Sequence, residues 1–372
     1  MTEQIDEIGI SKLEIDTPAL LIDLPVMESN LKKMSDFFSG KDINLRPHVK
    51  IYKATPDLAQ MQLKAGAIGM TCAKLSEAEV LADAGIQDIL IANQIVGSKK
   101  IQRLMNLASR TKIMVAVDNQ KNVSALSKTA QDYGVSIQVL VEVNIGHNRC
   151  GVAPFEPALK LSEAVIAAPG LKFMGLMGYD GHCTLKVKEI DRERISKEAN
   201  TLLVKTKKFI EEAGIEVPIV SASGTFTYRF ASEIQGITDI QAGTYLLMDT
   251  TFKEHGVREF DCALSVLATV ISRSSYPSDK DLAIIDVGRK SISPVFGMPE
   301  VKHPIGATLF SLSQEHGRMS LENDARSLDI GDKIELWVSN SNGTVNLFNK
   351  FYAIRNDVVE AIWKNPLCGR ST

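Results

Sequence analysis

The sequence predicts an α/β protein, a (β/α)8 TIM-type barrel with a C-terminal mainly-β domain. Three observations carry this. Short apolar, β-branched runs alternate with helical patterns from about residue 40 to 250. Those runs are almost continuously apolar, as in parallel strands covered on both faces. Beyond about residue 255, strand-like runs continue while helical periodicity fades. A doubly wound open sheet is the alternative, but no G-x-G-x-x-G follows the first strand.

In chain order, "TPALLIDL" is one strand too many for the barrel and is expected to pair with the C-terminal domain. The chain then enters and leaves through one β module: residues 1–25 form the joining strand, 26–255 the barrel and 256–372 the β-rich domain. The barrel strands are "NLRPHVK", "AIGMTC", "ILIAN", "KIMVAV", "IQVLVEV", "KFMGLMGY", "VPIVSASG" and "ITDIQAGTY". Between them, Ser76 and Glu79 make an S-x-x-E capping box, with Gly85 as the stop. Asn119 and Gly134 bracket a second helix in the same way. The later strands are "ALSVLATVISRSS", "DLAIIDVG", "TLFSLSQEHG", "DKIELWVS" and "TVNLFNKFYAIRNDVVEAIW", the last folded at "RND".

Composition narrows the function. With 372 residues, 44% hydrophobic and 23% charged, the chain has the make-up of a folded globular protein. Its net charge of -3 offers no basic footprint for nucleic acid or an anionic membrane. The acidic N-terminus does not have the order of a signal peptide, and no apolar run approaches the ~20 residues of a membrane span. Five scattered cysteines without a C-x-x-C pair argue against a disulfide framework or zinc finger. A soluble, cytoplasmic protein with neither nucleic-acid nor membrane partners is expected.

Chemistry gathers first at "RPHVKIYKAT", residues 46–55. Alternation in a barrel strand points Lys50 inward, where desolvation and cations such as Arg46 and Lys53 lower its pKa and make a better amine nucleophile. The competing reading is a lysine snorkelling to the surface. Arg149 follows in a loop between Gly146 and Gly151, and two late strands end in small-residue turns: Ser221, Ser223, Gly224 and Thr225, then Gly243, Thr244 and Tyr245. Late barrel turns of this kind are where such barrels hold phosphate. Together they suggest a phosphorylated aldehyde cofactor, pyridoxal 5'-phosphate.

"LRPHVKIYKATPDLAQMQLKAGAIGMTCAKLSEAE" resembles the opening of the D-threonine aldolases and eukaryotic-type D-serine dehydratases, pyridoxal-phosphate enzymes of the alanine-racemase-like fold group. The likeness runs on through "VLVEVNIGHNRCGV", "GLMGYDGH", "SASGT", "QAGTYLLMD", "DVGRKS" and "EHGRMSL" to the C-terminal strands. It implies that Lys50 is the Schiff-base lysine and that Arg149 lies near the pyridoxal hydroxyl or the substrate carboxylate. It implies further that Tyr179 packs on the cofactor ring, and that Ser223, Gly224, Thr225, Gly243, Thr244 and Tyr245 form the phosphate cup. A homodimer and a small amino-acid substrate are also implied.

The sequence departs from the resemblance in "WVSNSNGTVNL". The metal-dependent members have P-x-H-x-C or P-x-H-x-D just before a "TVNL"-like strand, whereas Asn340 and Asn342 stand at the two ligand positions here. Neutral amides replace imidazole and thiolate or carboxylate poorly, so no divalent metal is expected there. The six histidines form no H-x-H or H-x-x-x-H pair; a site relocated to His316, His182 and Asp180 is the alternative. Tyr52 and Asp180 also stand where relatives commonly have histidine. Without a metal, the β-hydroxyl proton of a substrate falls to a base, with His316 and Asp180 as candidates. The reading is a lyase cleaving β-hydroxy D-amino acids through Lys50. A metal-independent racemase, a D-serine dehydratase-like lyase and a non-catalytic carrier of the cofactor are the alternatives.

Overall fold

Strand β1 (Ala19–Asp23) comes first in the chain yet lies outside the barrel sheet of the computed structural model, which describes residues 7–185, 187–273, 281–370 and 372. The barrel is β2 (Asn44–Leu45), β3 (Met70–Cys72), β4 (Ile89–Gln94), β5 (Ile113–Val117), β6 (Ile137–Glu142), β7 (Leu171–Gly178), β8 (Ile219–Ala222) and β9 (Asp239–Ile240). All pair in parallel, in the order β2-β9-β8-β7-β6-β5-β4-β3. A parallel bridge between His48 and Thr71 joins the two ends of this sheet. There the Thr71 N–H donates to the Pro47 carbonyl at 2.8 Å and its hydroxyl to that of Arg46 at 2.9 Å. All five residues of β5 are buried, as a strand covered on both faces requires. Leu90, Met114, Ala116, Leu140 and Met177, from β4 to β7, pack as one core cluster.

Parallel pairing with helical crossovers puts the C-terminal ends of all eight strands on one edge, and helix boundaries set where the following loops begin. The Asn119 side chain accepts from the Lys121 N–H at 2.8 Å, and Gly134 ends that helix at φ +64°. The helix Leu75–Asp83 starts earlier than the Ser76/Glu79 box implies. Glu77 is the capping carboxylate, accepting from the N–H groups of Ala73 (2.7 Å) and Lys74 (3.1 Å). Glu79 pairs instead with Arg103, at 2.6 Å.

The first barrel strand is also shorter than "NLRPHVK" implies. Pro47 brings no N–H to a ladder, and Val49–Tyr52 is a 3-10 turn. Lys50 therefore stands on a turn just past β2, not in a strand.

The chain forms two compact units. One contains the residues up to Lys33, Ile51–Lys53 and Tyr245–Arg370; the other contains Met34–Lys50 and Ala54–Thr244. In the first, β1 lies between β10 (Leu264–Arg273), its antiparallel partner, and β16 (Lys350–Arg355), its parallel one. β11 (Asp281–Ile285), β13 (Ala307–Leu312), β14 (Gly317–Leu321) and β17 (Val358–Lys364) extend this sheet. β15 (Lys333–Trp337) pairs with β10 and β12 (Glu300–His303) pairs with β15. Ile15, Ala19, Leu21, Leu267, Tyr352, Ile354 and Val359 form its core cluster. Asn356 and Asp357, at φ +51° and +61°, make the tight turn read at "RND". "TVNL" differs from expectation: the helix Ser341–Val345 covers its start, because Asn340 caps that helix. Among the described residues, no helix is long and apolar enough to cross a membrane.

Candidate active site

Tyr179 follows β7 directly, and its ring is the centre of the candidate site. The Lys50 ammonium lies 6.0 Å from the ring centroid and the Arg149 guanidinium 5.3 Å. His147 meets the ring edge-on, with centroids 5.4 Å apart at 81°. A Cβ on Gly224 would lie 3.5 Å from Tyr179 Cε2. These residues follow β2, β6, β7 and β8, so the common strand edge brings them together.

The loop after β6 is held open by its own backbone and by one carboxylate. Asn144 N–H donates to Val152 O at 2.8 Å, and Gly151 N–H donates to Asp118 Oδ2 at 3.0 Å. The Asn144 side chain accepts from the N–H groups of Gly146 and Asn148, both at 3.1 Å. Arg149 is thereby presented at the rim, exposed to solvent.

After β8, Ser223 adopts φ +64°, and its hydroxyl shares a 2.7 Å hydrogen bond with Thr227. After β9, Gly243 runs so close to the segment after β2 that a Cβ would lie 2.1 Å from the His48 carbonyl oxygen. Glycine is required there by space. Ser223, Gly224, Thr225, Gly243 and Thr244 thus form two small-residue turns on one edge, a donor set suited to a phosphate. Tyr245 follows the second of these turns directly. Its ring is fully buried, packs on Phe260 at 5.6 Å and belongs to the β unit.

Electrostatics prepare the lysine. Its side chain is open to solvent but crowded by protein. That crowding and the Arg149 charge lower its pKa, against an opposing pull from Glu77. Arg46, expected to do this, is committed elsewhere. It is buried, with Nε 3.0 Å from Asp239 and a second ion pair to Asp88. Lys53 donates to the Arg370 carbonyl at 2.7 Å. Burial, Lys50 and Arg149 hold the His48 pKa well down, and its Nδ1 faces the Lys50 N–H at 3.4 Å. His147 is likewise lowered by burial and Arg149. Burial, with Asp180 nearby, pushes the Tyr179 phenol up to about 12, so the ring stays neutral.

Asp180 is brought close to these residues but not into the opening. It is fully buried, and its oxygens accept from Ser196 (2.7 Å), Asn200 (3.0 Å) and Thr227 (3.0 Å). Those bonds tie the end of β7 to the helix Glu189–Glu212 and to the turn after β8. A carboxylate so engaged serves position better than proton transfer. His316 belongs to the β unit, exposed in the turn between β13 and β14. Two residues the sequence reading passed over matter more, His147 and Glu77. His147 stands two positions before Arg149 in the same quoted motif.

The two positions that the resemblance aligns with metal ligands are structural in form. Asn340 Oδ1 accepts from the Gly343 N–H at 3.0 Å, and its Nδ2 donates to Ser293 Oγ at 3.3 Å. Asn342 is half-buried in the first turn of the helix that Asn340 caps. Among the described residues, one group of three metal-capable side chains occurs, Asp118, Glu142 and Cys150, with ligand atoms within 4.8 Å of one another. Asp118 already accepts from Gly151, and Glu142 from Gln94 Nε2 at 2.5 Å.

Comparison with known proteins fits this geometry. The family described as alanine racemase, N-terminal domain, matches residues 22–251, and a serine dehydratase domain matches 263–354. The D-threonine aldolase of Arthrobacter sp. is 35% identical over 353 residues, 94% of this chain and 92% of that protein. The crystal structure of D-threonine aldolase from Filomicrobium marinum superimposes with a TM-score of 0.93 at 36% identity, covering 98% of each chain. D-threo-3-hydroxyaspartate dehydratase from Delftia sp. HT23 has a TM-score of 0.86 at 27% identity, covering 95% of this chain and 98% of its own. A cysteine-to-alanine variant of that dehydratase has been solved in a metal-free form.

Proposed function

Because the chain belongs to the alanine racemase N-terminal domain family and is a pyridoxal-phosphate-dependent lyase acting on D-amino acids, we propose that it cleaves β-hydroxy D-amino acids such as D-threonine into glycine and an aldehyde. The observation that carries this is the grouping of Lys50, Arg149, His147 and Gly224 around the Tyr179 ring. Pyridoxal phosphate, when bound, supplies an electron sink at the substrate's α-carbon.

The chain's own residues supply the rest. Lys50, its pKa lowered by crowding and by Arg149, would hold the cofactor through its side-chain amine and later carry the proton that returns to the α-carbon. Tyr179 presents a flat neutral face, and Arg149 attracts the substrate carboxylate. The turns at Ser223–Gly224–Thr225 and Gly243–Thr244 would hold the phosphate through backbone N–H groups. In the cleavage, the β-hydroxyl gives up its proton, the Cα–Cβ electron pair passes to the α-carbon, and the aldehyde leaves. We assign that proton to His147, a neutral imidazole beside Tyr179. His316 is the second imidazole for this role, and Asp180 acts as a positioning residue. The family resemblance also supports a homodimer, and the composition a cytoplasmic protein, which light scattering and cell fractionation check.

The test is product analysis with D- and L-threonine. Glycine and acetaldehyde from the D-isomer alone are expected. Loss of the α-proton into D2O without cleavage would replace this reading with a racemase, and ammonia with a 2-oxo acid would replace it with a dehydratase. A larger loss of kcat in His316→Gln than in His147→Gln would move the base to His316.

A further inference from the structure

The β unit contains the two positions at which metal-dependent members of the family carry histidine and cysteine or aspartate, and their surroundings here are those of a helix start. Asn340 is extended, at φ -139° and ψ 92°, and caps the helix Ser341–Val345 through the Gly343 N–H. Asparagine is among the best residues for that task, so its presence has a complete structural explanation. The other end of its amide is engaged by Ser293, whose own N–H donates to Thr344 Oγ1 at 3.1 Å. Packing is close: a Cβ on Gly343 would lie 2.6 Å from Ser293 Oγ and 3.1 Å from Asn340 Nδ2.

Nearby anionic oxygen is also committed. Asp249 Oδ2 accepts from the N–H and the hydroxyl of Ser341, at 3.0 and 2.7 Å, and its Oδ1 accepts from the Phe252 N–H at 3.1 Å. Among the described residues, the one group of three metal-capable side chains lies in the barrel unit and includes none of these. Manganese and zinc sites are built from imidazole, thiolate and carboxylate, and a pair of neutral amides, one of them a helix cap, holds such ions poorly.

We infer that this chain carries no divalent ion at Asn340 and Asn342 and performs its reaction without one. The inference rests on the lyase reading only for its second half. Metal binding and catalysis are therefore measured separately on the cofactor-loaded protein after treatment with chelator. Manganese is titrated and the free ion followed by electron paramagnetic resonance, while D-threonine cleavage is assayed with and without the ion. The expected result is no stoichiometric manganese binding dependent on residue 340, with rates agreeing within about twofold across the two assays.

One manganese per chain that is lost in Asn340→Ala would overturn the inference. So would a loss of more than about tenfold on chelation that manganese restores. Manganese that persists in Asn340→Ala and disappears in Cys150→Ser, with the rate unchanged by chelator, belongs to the Asp118 group and leaves the inference standing. If D-threonine is not cleaved under either condition, the aldolase reading fails, and the titration still decides whether the site binds metal.

Discussion

The barrel mouth and the helix start at Ser341 lie in different units and compare differently with the pattern that the family resemblance implies. At the mouth, the lysine, arginine and tyrosine of the family pattern stand around one ring. At Ser341, the two ligand positions hold amides, one of which serves as a helix cap. Cofactor chemistry depends on many groups placed together, so losing one weakens the work of the others. A two-residue metal site can be exchanged for a local capping motif at little cost to the fold. On the function proposed above, the difference makes the cofactor and the activation of the β-hydroxyl separable parts of the machinery.

The largest effect expected is at Lys50. In Lys50→Ala, turnover falls by at least about a thousandfold, and borohydride no longer traps the cofactor on the chain. A trapped linkage surviving in that variant would move the nucleophile elsewhere.

Arg149→Gln comes next, with a loss of about a hundredfold in kcat/KM from a missing charged contact to the substrate. It has a second readout with a definite sign. Arg149 lowers the Lys50 pKa, so removing it raises that pKa. The acid limb of cofactor uptake by the apo-protein then moves to higher pH. Glu77→Gln removes the opposing pull and moves the limb to lower pH. Shifts of the same sign in both variants would break the electrostatic account.

Much of the site was legible because its chemistry sits in short motifs. "RPHVK" supplies Lys50, "GHNRCG" supplies Arg149, and the turns after β8 and β9 announce themselves by small residues. The eight parallel strands were legible from their apolar runs. What was not legible depended on contacts between distant segments. Nothing near Asp180 in sequence shows that Ser196, Asn200 and Thr227 surround it, and nothing near Arg46 shows Asp239. Tyr245 reads as a cup residue, and nothing near it in sequence shows that its ring packs on Phe260. "TVNL" has strand propensity, but the Asn340 cap sets a helix there.

Two buried polar residues should separate fold from chemistry. Arg46→Met leaves Asp239 buried without its partner and is expected to cost about 3–5 kcal/mol of stability near neutral pH. Burial would raise the Asp88 carboxyl, but Arg46 and Lys112 outweigh it and hold it below its usual range. The stability that this pairing contributes is present above the unfolded carboxyl pKa and is lost as pH falls through the folded one. The gap between Arg46→Met and the wild type therefore narrows in acid, as denaturant titrations at several pH values would show. Asp180→Asn, which turns an acceptor into a donor facing Asn200, is expected to cost about 1–3 kcal/mol. Its kcat should change far less than that of His147→Gln. An unaltered melting temperature with a collapsed kcat would instead restore Asp180 as the base.

The smallest effect is the one that bears most directly on the comparison. Asn340→Ala removes the side-chain oxygen that satisfies the Gly343 N–H, which is expected to cost about 0.5–2 kcal/mol. Asn340→Asp keeps an acceptor in the same place and adds negative charge at a helix start, so it should recover most of that loss. A capping role predicts this order of melting temperatures, wild type and Asp above Ala, with turnover that chelator does not change in any of the three. A ligand role predicts another order, since Asp is the better metal donor. Manganese would then raise the melting temperature of Asn340→Asp above that of the wild type, and of the wild type above that of Asn340→Ala. Thermal denaturation of the three proteins with and without manganese therefore separates a helix cap from a metal site, whatever the substrate proves to be.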